Sequence, residues 1–298
     1  MKLHQIRALV AIAETGSIRA AARELAQTQP ALSKGLQQLE EEFSVPLVHR
    51  TARGVSLTPY GRAVVTRAKS IVLELGRMRE EIDQMRGTQE GTVSIVISPS
   101  PAILLLPGAL RRFHQALPRV QIRVREGIYP DTLKMLRDGQ VDIAIGAQPL
   151  IRKSAGAEFR SEHLYTNALV VTCRTGHPKA KSRSLKELLD AEWLQHGPAE
   201  GPGSLYAPAF KANGLPPPVP RIQSDSFTAT INLLEHTDAL SLLPERLIRH
   251  LTQAGRLQAL RLIEPMPDWD VAMITRANSP LTPAAQKLVE SFRRTPLS

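Results

Sequence analysis

Gln29, Ser33 and Gln37 stand four residues apart, with Lys34 beside them, in a stretch that otherwise repeats leucine every three or four positions. That spacing puts the polar set on one face of a helix. Glutamine can bond bidentately to adenine, serine to several base edges, and lysine to guanine or a phosphate. Ser17, Thr28 and Pro30 sit at the turns that would open two helices, and Arg50 and Arg53 lie in a short basic run downstream, suited to phosphates or a minor groove. Together they have the chemistry of a face that reads duplex DNA. The same residues also fit a solvated helical hairpin, so the elements that position them matter.

Ile18, Ala21, Ala22 and Leu25 follow the i, i+3, i+4, i+7 pattern of one helix face, and Ser17 after Gly16 can cap it. Ala26 to Thr28 separate it from a second helix, with Thr28 as cap, Pro30 in the first turn, and Leu32, Leu36, Leu39 and Phe43 on the buried side. Ile6, Leu9, Val10 and Ala13 predict an earlier helix ending at Thr15-Gly16. Two β-prone runs flanking Arg53-Gly54 predict a small hairpin, or wing. Helix, helix-turn-helix and wing in that order favour DNA over a plain hairpin. Thr58-Pro59 then opens a helix to about Arg86, where Val64, Ala68, Ile71, Leu75, Met78, Ile82 and Met85 alternate four and three apart. Such a heptad seam predicts pairing with a second copy.

The chain of 298 residues is long enough for two or three domains, and its formal net charge of +10 suits a polyanionic partner. One cysteine, Cys173, in an apolar run excludes an internal disulfide framework and reads as a buried, inert thiol. With no secretory pattern after Met1 and no apolar run of membrane-spanning length, the expectation is a soluble cytoplasmic protein without membrane partners.

Beyond a polar hinge at 87–91 the pattern changes to alternating strands and helices. Strands at Val93–Ile97, Val120–Val124 and Val141–Ile145 enclose helices from about Pro101 to Leu117 and from Asp131 to Asp138. A second series runs through strands at Leu164–Thr172, Glu192–His196, Arg221–Ser224 and Ala239–Leu243, with helices at Ser184–Asp190, Ser204–Asn213 and Ser226–Glu235 and another from Pro244. Val271–Thr275 and a helix at Thr282–Phe292 close the chain. Such βαβ repeats predict a mostly parallel sheet covered by helices. The expected organisation is a winged helix-turn-helix at 1–58, a linker helix at 59–86, and an α/β domain at 92–298. Its first lobe takes 92–163 and 268–298, its second 164–267, forming a two-lobed clamp of the periplasmic-binding-protein kind.

A small anion in such a cleft wants helix starts, hydroxyls or amides, and apolar walls. Ser98 and Ser100 lie where a strand passes into a helix, with Ser100 also readable as a plain N-cap. Tyr129 and Gln148 follow strands, where open α/β sheets bind ligands. His196 ends a strand, and Ser204 and Phe227 start helices, although a core role suits Phe227 and a local hydrogen bond suits His196. No Gly-x-Ser-x-Gly elbow, Walker loop or zincin helix occurs, and the eight histidines lack ligand spacing, so neither a catalytic centre, a metal nor a cofactor is expected. A cytosolic enzyme or a solute-binding protein using the same cleft remains the competing reading.

Gly16-Ser17-Ile18-Arg19-Ala20-Ala21-Ala22, Gln29-Pro30-Ala31-Leu32-Ser33, Leu47-Val48-His49-Arg50 and Leu57-Thr58-Pro59-Tyr60-Gly61 resemble the LysR-type transcriptional regulators, and the element order resembles them over the full length. Met1-Lys2-Leu3, Arg53-Gly54-Val55-Ser56-Leu57-Thr58 and Pro283-Ala284-Ala285 are similar to the toluenesulfonate-regulator and aromatic-acid-degradation branch. The resemblance implies that Gln29, Pro30, Ser33 and Lys34 face the groove, and that Thr28, Arg50 and Arg53 meet phosphates. It further implies effector contacts at Ser100 and Ser204, a dimer through the linker helix, a tetramer on promoter DNA, and an aromatic carboxylate or sulfonate as effector.

Overall fold

The computed structural model describes residues 1–51, 54–147, 158–199, 201–251 and 255–297. These divide into two compact units, Met1–Thr88 with Arg137–Gln140, and Gln89–Leu136 with Val141–Ser298.

The first unit opens with α1 (Leu3–Thr15), α2 (Ile18–Glu24) and α3 (Gln29–Phe43). The predicted caps form: Ser17 Oγ accepts from the Ala20 N–H at 3.3 Å and Thr28 Oγ1 from the Ala31 N–H at 3.4 Å. Leu9, Ile12, Ala21, Leu32, Leu36 and Leu39 are buried together in one core. Phe43, expected on that buried side, is instead 41 % exposed, because α3 outruns the core in its last turn. The wing is β1 (Val48–Thr51) paired antiparallel with β2 (Gly54–Leu57).

Helix α4 (Pro59–Met85) follows directly, capped by Thr58, whose Oγ1 accepts from the Gly61 N–H at 2.9 Å. A Cβ at Gly61 would stand 1.9 Å from the Leu47 carbonyl oxygen, so only glycine lets this turn lie against the wing. The heptad stripe divides in two. Ala68 packs with Ile6 and Val10, and Val64 lies against the three-helix core, so the upper turns are spent within the unit. Ile71, Met78, Ile82 and Met85 remain 41, 55, 47 and 71 % exposed.

The second unit carries a nine-stranded sheet, counted over the described residues. Its first half holds β3 (Thr92–Ile97), β4 (Gln121–Glu126) and β5 (Ile143–Ala147), with α5 (Pro99–Leu104), α6 (Leu106–Ala116) and α7 (Asp131–Arg137). The second half holds β7 (Glu192–His196), β8 (Ile222–Ser224), β9 (Ala239–Pro244) and β10 (Leu257–Ala259), with α8 (Tyr206–Ala212), α9 (Phe227–His236) and α10 (Glu245–Leu251). Two long strands, β6 (Phe159–Arg174) and β11 (Asp268–Arg276), run between them, and α11 (Pro283–Arg293) buries Ala285, Leu288 and Phe292 against the first half.

The order is β4-β3-β5-β11-β6-β9-β7-β8, with β10 on β6. Each half keeps its parallel pairs, β3 with β4 and β5, and β7 with β8 and β9. The centre is antiparallel, since β11 pairs β5 and β6, and β6 pairs β9. The sheet is therefore mixed rather than mostly parallel: local βαβ repeats set the halves, and two strands that cross between them set the middle. The single helix expected from Pro101 to Leu117 is broken at Leu105, because Pro107 has no N–H to continue the ladder. The helix expected from Ser204 is a short 3-10 turn, Pro202–Ser204, followed by α8, whose first turn accommodates Pro208. Among the described residues no helix is long and apolar enough to cross a membrane.

Candidate nucleic-acid interface and ligand cavity

The start of α3 presents an open polar surface. Thr28, Gln29, Pro30, Lys34 and Gln37 are exposed and Ser33 is half-buried, on the side opposite Leu32, Leu36 and Leu39. Residues 1–58 hold seven Lys and Arg against five Asp and Glu, and three of those acids, Glu40 to Glu42, fall in the second half of α3. The positive end of the helix dipole and Lys34 thus share the acid-free end. Gln37 differs from its expected role: its Nε2 donates to Glu41 Oε1 at 3.0 Å, so its amide is partly spent along the helix. The Ser17 and Thr28 hydroxyls are likewise engaged as caps, which leaves their positions at helix starts as their contribution.

Arg50 is exposed on β1, while Arg53 lies outside the described residues. Hydrogen bonds tie the wing to α3 and to the turn between α1 and α2. Glu40 Oε1 accepts from the backbone N–H of Leu47 at 2.7 Å and of Val48 at 3.2 Å. The Val55 N–H donates to the Gly16 carbonyl at 2.9 Å. Strand and reading helix therefore form one body.

In the second unit a cavity of about 70 Å³ opens where strand ends converge. Ser98, Gly127 and Ala147 follow or end β3, β4 and β5, while His196 and Pro244 end β7 and β9. Both halves thus turn the carboxyl ends of their parallel strands to one space, where open α/β sheets bind ligands. The crossing strands contribute Tyr165's neighbours Asn167 and Leu169 from β6, and Trp269 and Val271 from β11. A volume of that size suits a small molecule, since a single water needs about 10–15 Å³.

Five expected contacts line this cavity: Ser98, Ser100, Tyr129, His196 and Phe227. Ser98, not Ser100, is the N-cap of α5, and its side chain makes no capping bond. Ser100 is buried inside the first turn, with Oγ 3.3 Å from Tyr165 Oη and 3.4 Å from Asn167 Nδ2. Burial pushes the Tyr165 phenol up, so this network is uncharged at neutral pH. His196 Nδ1 lies 3.2 Å from the Ser224 carbonyl and 3.1 Å from Thr230 Oγ1, and burial holds its pKa below the usual value despite the Ser224 bond. It is a neutral wall, edge-on to Phe227 at 5.6 Å.

Ser204 is not among the lining residues. Its hydroxyl donates to the Gly201 carbonyl at 2.9 Å, and the turn offers Pro202 and Gly203 instead. A Cβ on Gly203 would stand 2.0 Å from the His196 carbonyl oxygen, which explains the glycine there. Gln148 lies outside the described residues. Asn167 and Trp269 were not anticipated from sequence, although alternation along Tyr165, Asn167 and Leu169 places an amide on the apolar face of a strand. Among the described residues no group of three His, Cys, Asp or Glu could hold a metal ion.

Two family models match. The model described as a bacterial regulatory helix-turn-helix protein of the lysR family covers residues 3–62, and the LysR substrate binding domain covers 86–296. The chain is 28% identical over 291 residues to the HTH-type transcriptional regulator GalR of Pseudomonas putida, covering 97% of this chain and 73% of that protein. It is 29% identical over 293 residues to the SDS degradation transcriptional activation protein of a Pseudomonas species, covering 96% and 94%. These relatives are named as regulators, not enzymes. Among solved structures, the LysR family transcriptional regulator CbnR matches with TM-score 0.69 at 22% identity, covering 99% of both chains. CbnR complexed with its target DNA matches with TM-score 0.69 at 24% identity, again over 99% of both. At that identity they speak for the fold.

Proposed function

Because the chain belongs to the LysR family of bacterial transcriptional regulators, we propose that Gln29, Ser33 and Lys34 enter the major groove of promoter DNA while Arg50 and Arg53 hold the backbone. The observation that carries this is the exposed, acid-free first half of α3, braced against the wing. Ser17, Thr28 and Pro30 set where that helix pair begins, and Gln37 contributes less than its spacing promised. The free lower seam, Ile71 to Met85, makes the homodimer, and two dimers make a tetramer on the promoter. The protein acts in the cytoplasm. A small effector binds among Ser98, Ser100, Tyr129, His196 and Phe227, and biases the two halves of the second unit toward one arrangement.

The aromatic part of the expected effector class suits the cavity's apolar walls, Phe227 and Trp269 among them. The anionic part, a carboxylate or sulfonate, would have to be held without a cation: no Lys or Arg lines the cavity among the described residues.

Selection of binding sites from a random duplex pool by the full-length protein tests the DNA assignment. The expected product is a dyad with half-sites a whole number of helical turns apart. Gln29→Ala and Ser33→Ala should each relax preference at one position per half-site, by about 1–3 kcal/mol for a good base contact. A selected pool without a dyad, or one unchanged by both replacements, would remove α3 from the reading role.

A further inference from the structure

Three side-chain polar atoms are buried without a hydrogen bond among the described residues: Asn167 Oδ1, Ser241 Oγ and Trp269 Nε1. Two of them line the cavity, and they are direct cross-strand partners, Trp269 on β11 opposite Asn167 on β6. Buried polar atoms are rarely left unpaired, and each carries a free-energy cost until something meets it. The Asn167 amide is 2 % exposed and holds Ser100 with one end only. Turning the amide over exchanges its ends but still leaves one of them orphaned. A ligand group meeting both residues must accept from the indole N–H and either donate to, or accept from, the amide. A hydroxyl or a carboxamide does both.

The charge of that ligand follows from the rest of the lining. Among the described residues no Lys, Arg, Asp or Glu lines the cavity. The helix start at Ser98 is a poor anion cradle, because Pro99 and Pro101 carry no N–H and Ser100 alone keeps one in the first three positions. An anion placed here would lose its hydration with no cation among the described lining residues to replace it; Arg246, whose charge acts on Tyr165, is not one of them.

Resting on the effector reading above, we propose that the effector is a small uncharged molecule with an apolar body and one hydroxyl or carboxamide, held between Trp269 Nε1 and the Asn167 amide. This departs from the carboxylate or sulfonate that the resemblance implies.

Benzamide and benzoate match in shape and differ in charge, which makes them the deciding pair. Thermal melting of the full-length protein should rise and saturate with benzamide, with an apparent Kd at least about tenfold below that for benzoate or benzenesulfonate. Trp269→Phe keeps the ring and removes the N–H, so it should weaken benzamide about five- to tenfold, the fold-change of one lost hydrogen bond. Circular dichroism and DNA retention check that the variant is folded. If benzoate binds as well as benzamide, or Trp269→Phe leaves benzamide unchanged, the uncharged assignment fails and the effector cavity stands. If none of the three molecules shifts the melting at any concentration, the uncharged assignment falls, while the DNA assignment is tested separately by site selection.

Discussion

Glu40 joins the reading helix to the wing, and removing it gives the sharpest test of how the first unit is held together. Its Oε1 accepts two backbone N–H groups, Leu47 at 2.7 Å and Val48 at 3.2 Å, in a half-buried setting. Hydrogen bonds to a charged group contribute about 1.5–3 kcal/mol each. The second bond is long and water reaches the site, so Glu40→Ala should cost about 2–4 kcal/mol of local stability. At about 1.4 kcal/mol per factor of ten, the opening of this segment becomes roughly 30- to 700-fold more frequent. Hydrogen–deuterium exchange on the full-length protein, followed in a peptide spanning residues 45–49, measures that ratio directly. Glu40→Gln keeps a carbonyl acceptor for both donors and should fall well short of the alanine variant. If Glu40→Ala exchanges at the wild-type rate, or Glu40→Gln is the more damaging change, the wing is held by something other than this carboxylate.

Ile82→Glu places a charge on the free lower seam, and light scattering should report a smaller assembly while circular dichroism stays unchanged. An unaltered mass would remove the seam from the subunit contact. Glu162 accepts from Arg293 in two bonds, which hold its carboxyl below the usual range, so that stabilisation is present above pH 4.5 and is lost as pH falls through the depressed folded value. Glu162→Gln should therefore lower the melting temperature at pH 7, by an amount that shrinks steadily below pH 4.5 in paired melts. Gly203→Ala would force a Cβ to 2.0 Å from the His196 carbonyl, a clash with backbone that should cost more than about 3 kcal/mol. Calorimetry should then show loss of the transition belonging to the second unit alone.

Caps and periodicity carried much of the fold into view. Ser17, Thr28, Thr58, Ser226 and Thr282 all accept the N–H three residues on, as their positions before apolar repeats predict. What stayed hidden was decided by contacts distant in sequence. The polar start of β6, Arg160 to His163, carries no strand signature and is extended because β11 pairs with it. Ala26 adopts a left-handed φ of +51° in the turn of the helix pair, where no glycine marks it. In the cavity, strand-end residues such as Ser98 and His196 were legible because a strand's end is a local feature. Asn167 and Trp269 were not, because the register that sets them side by side joins residues about a hundred positions apart.

The crossing strands have one more implication. The backbone leaves the first half of the second unit along β6 and returns along β11, and these same two strands form the cavity's floor at Asn167, Leu169, Trp269 and Val271. Their ladder slips by one residue between Val271 and Ala272, beside that floor. A bulge is where a ribbon bends and twists most readily. On the proposed effector reading, whatever settles on the floor would press on the very ribbon that joins the two halves, so a few atoms of ligand would act with the leverage of an entire half.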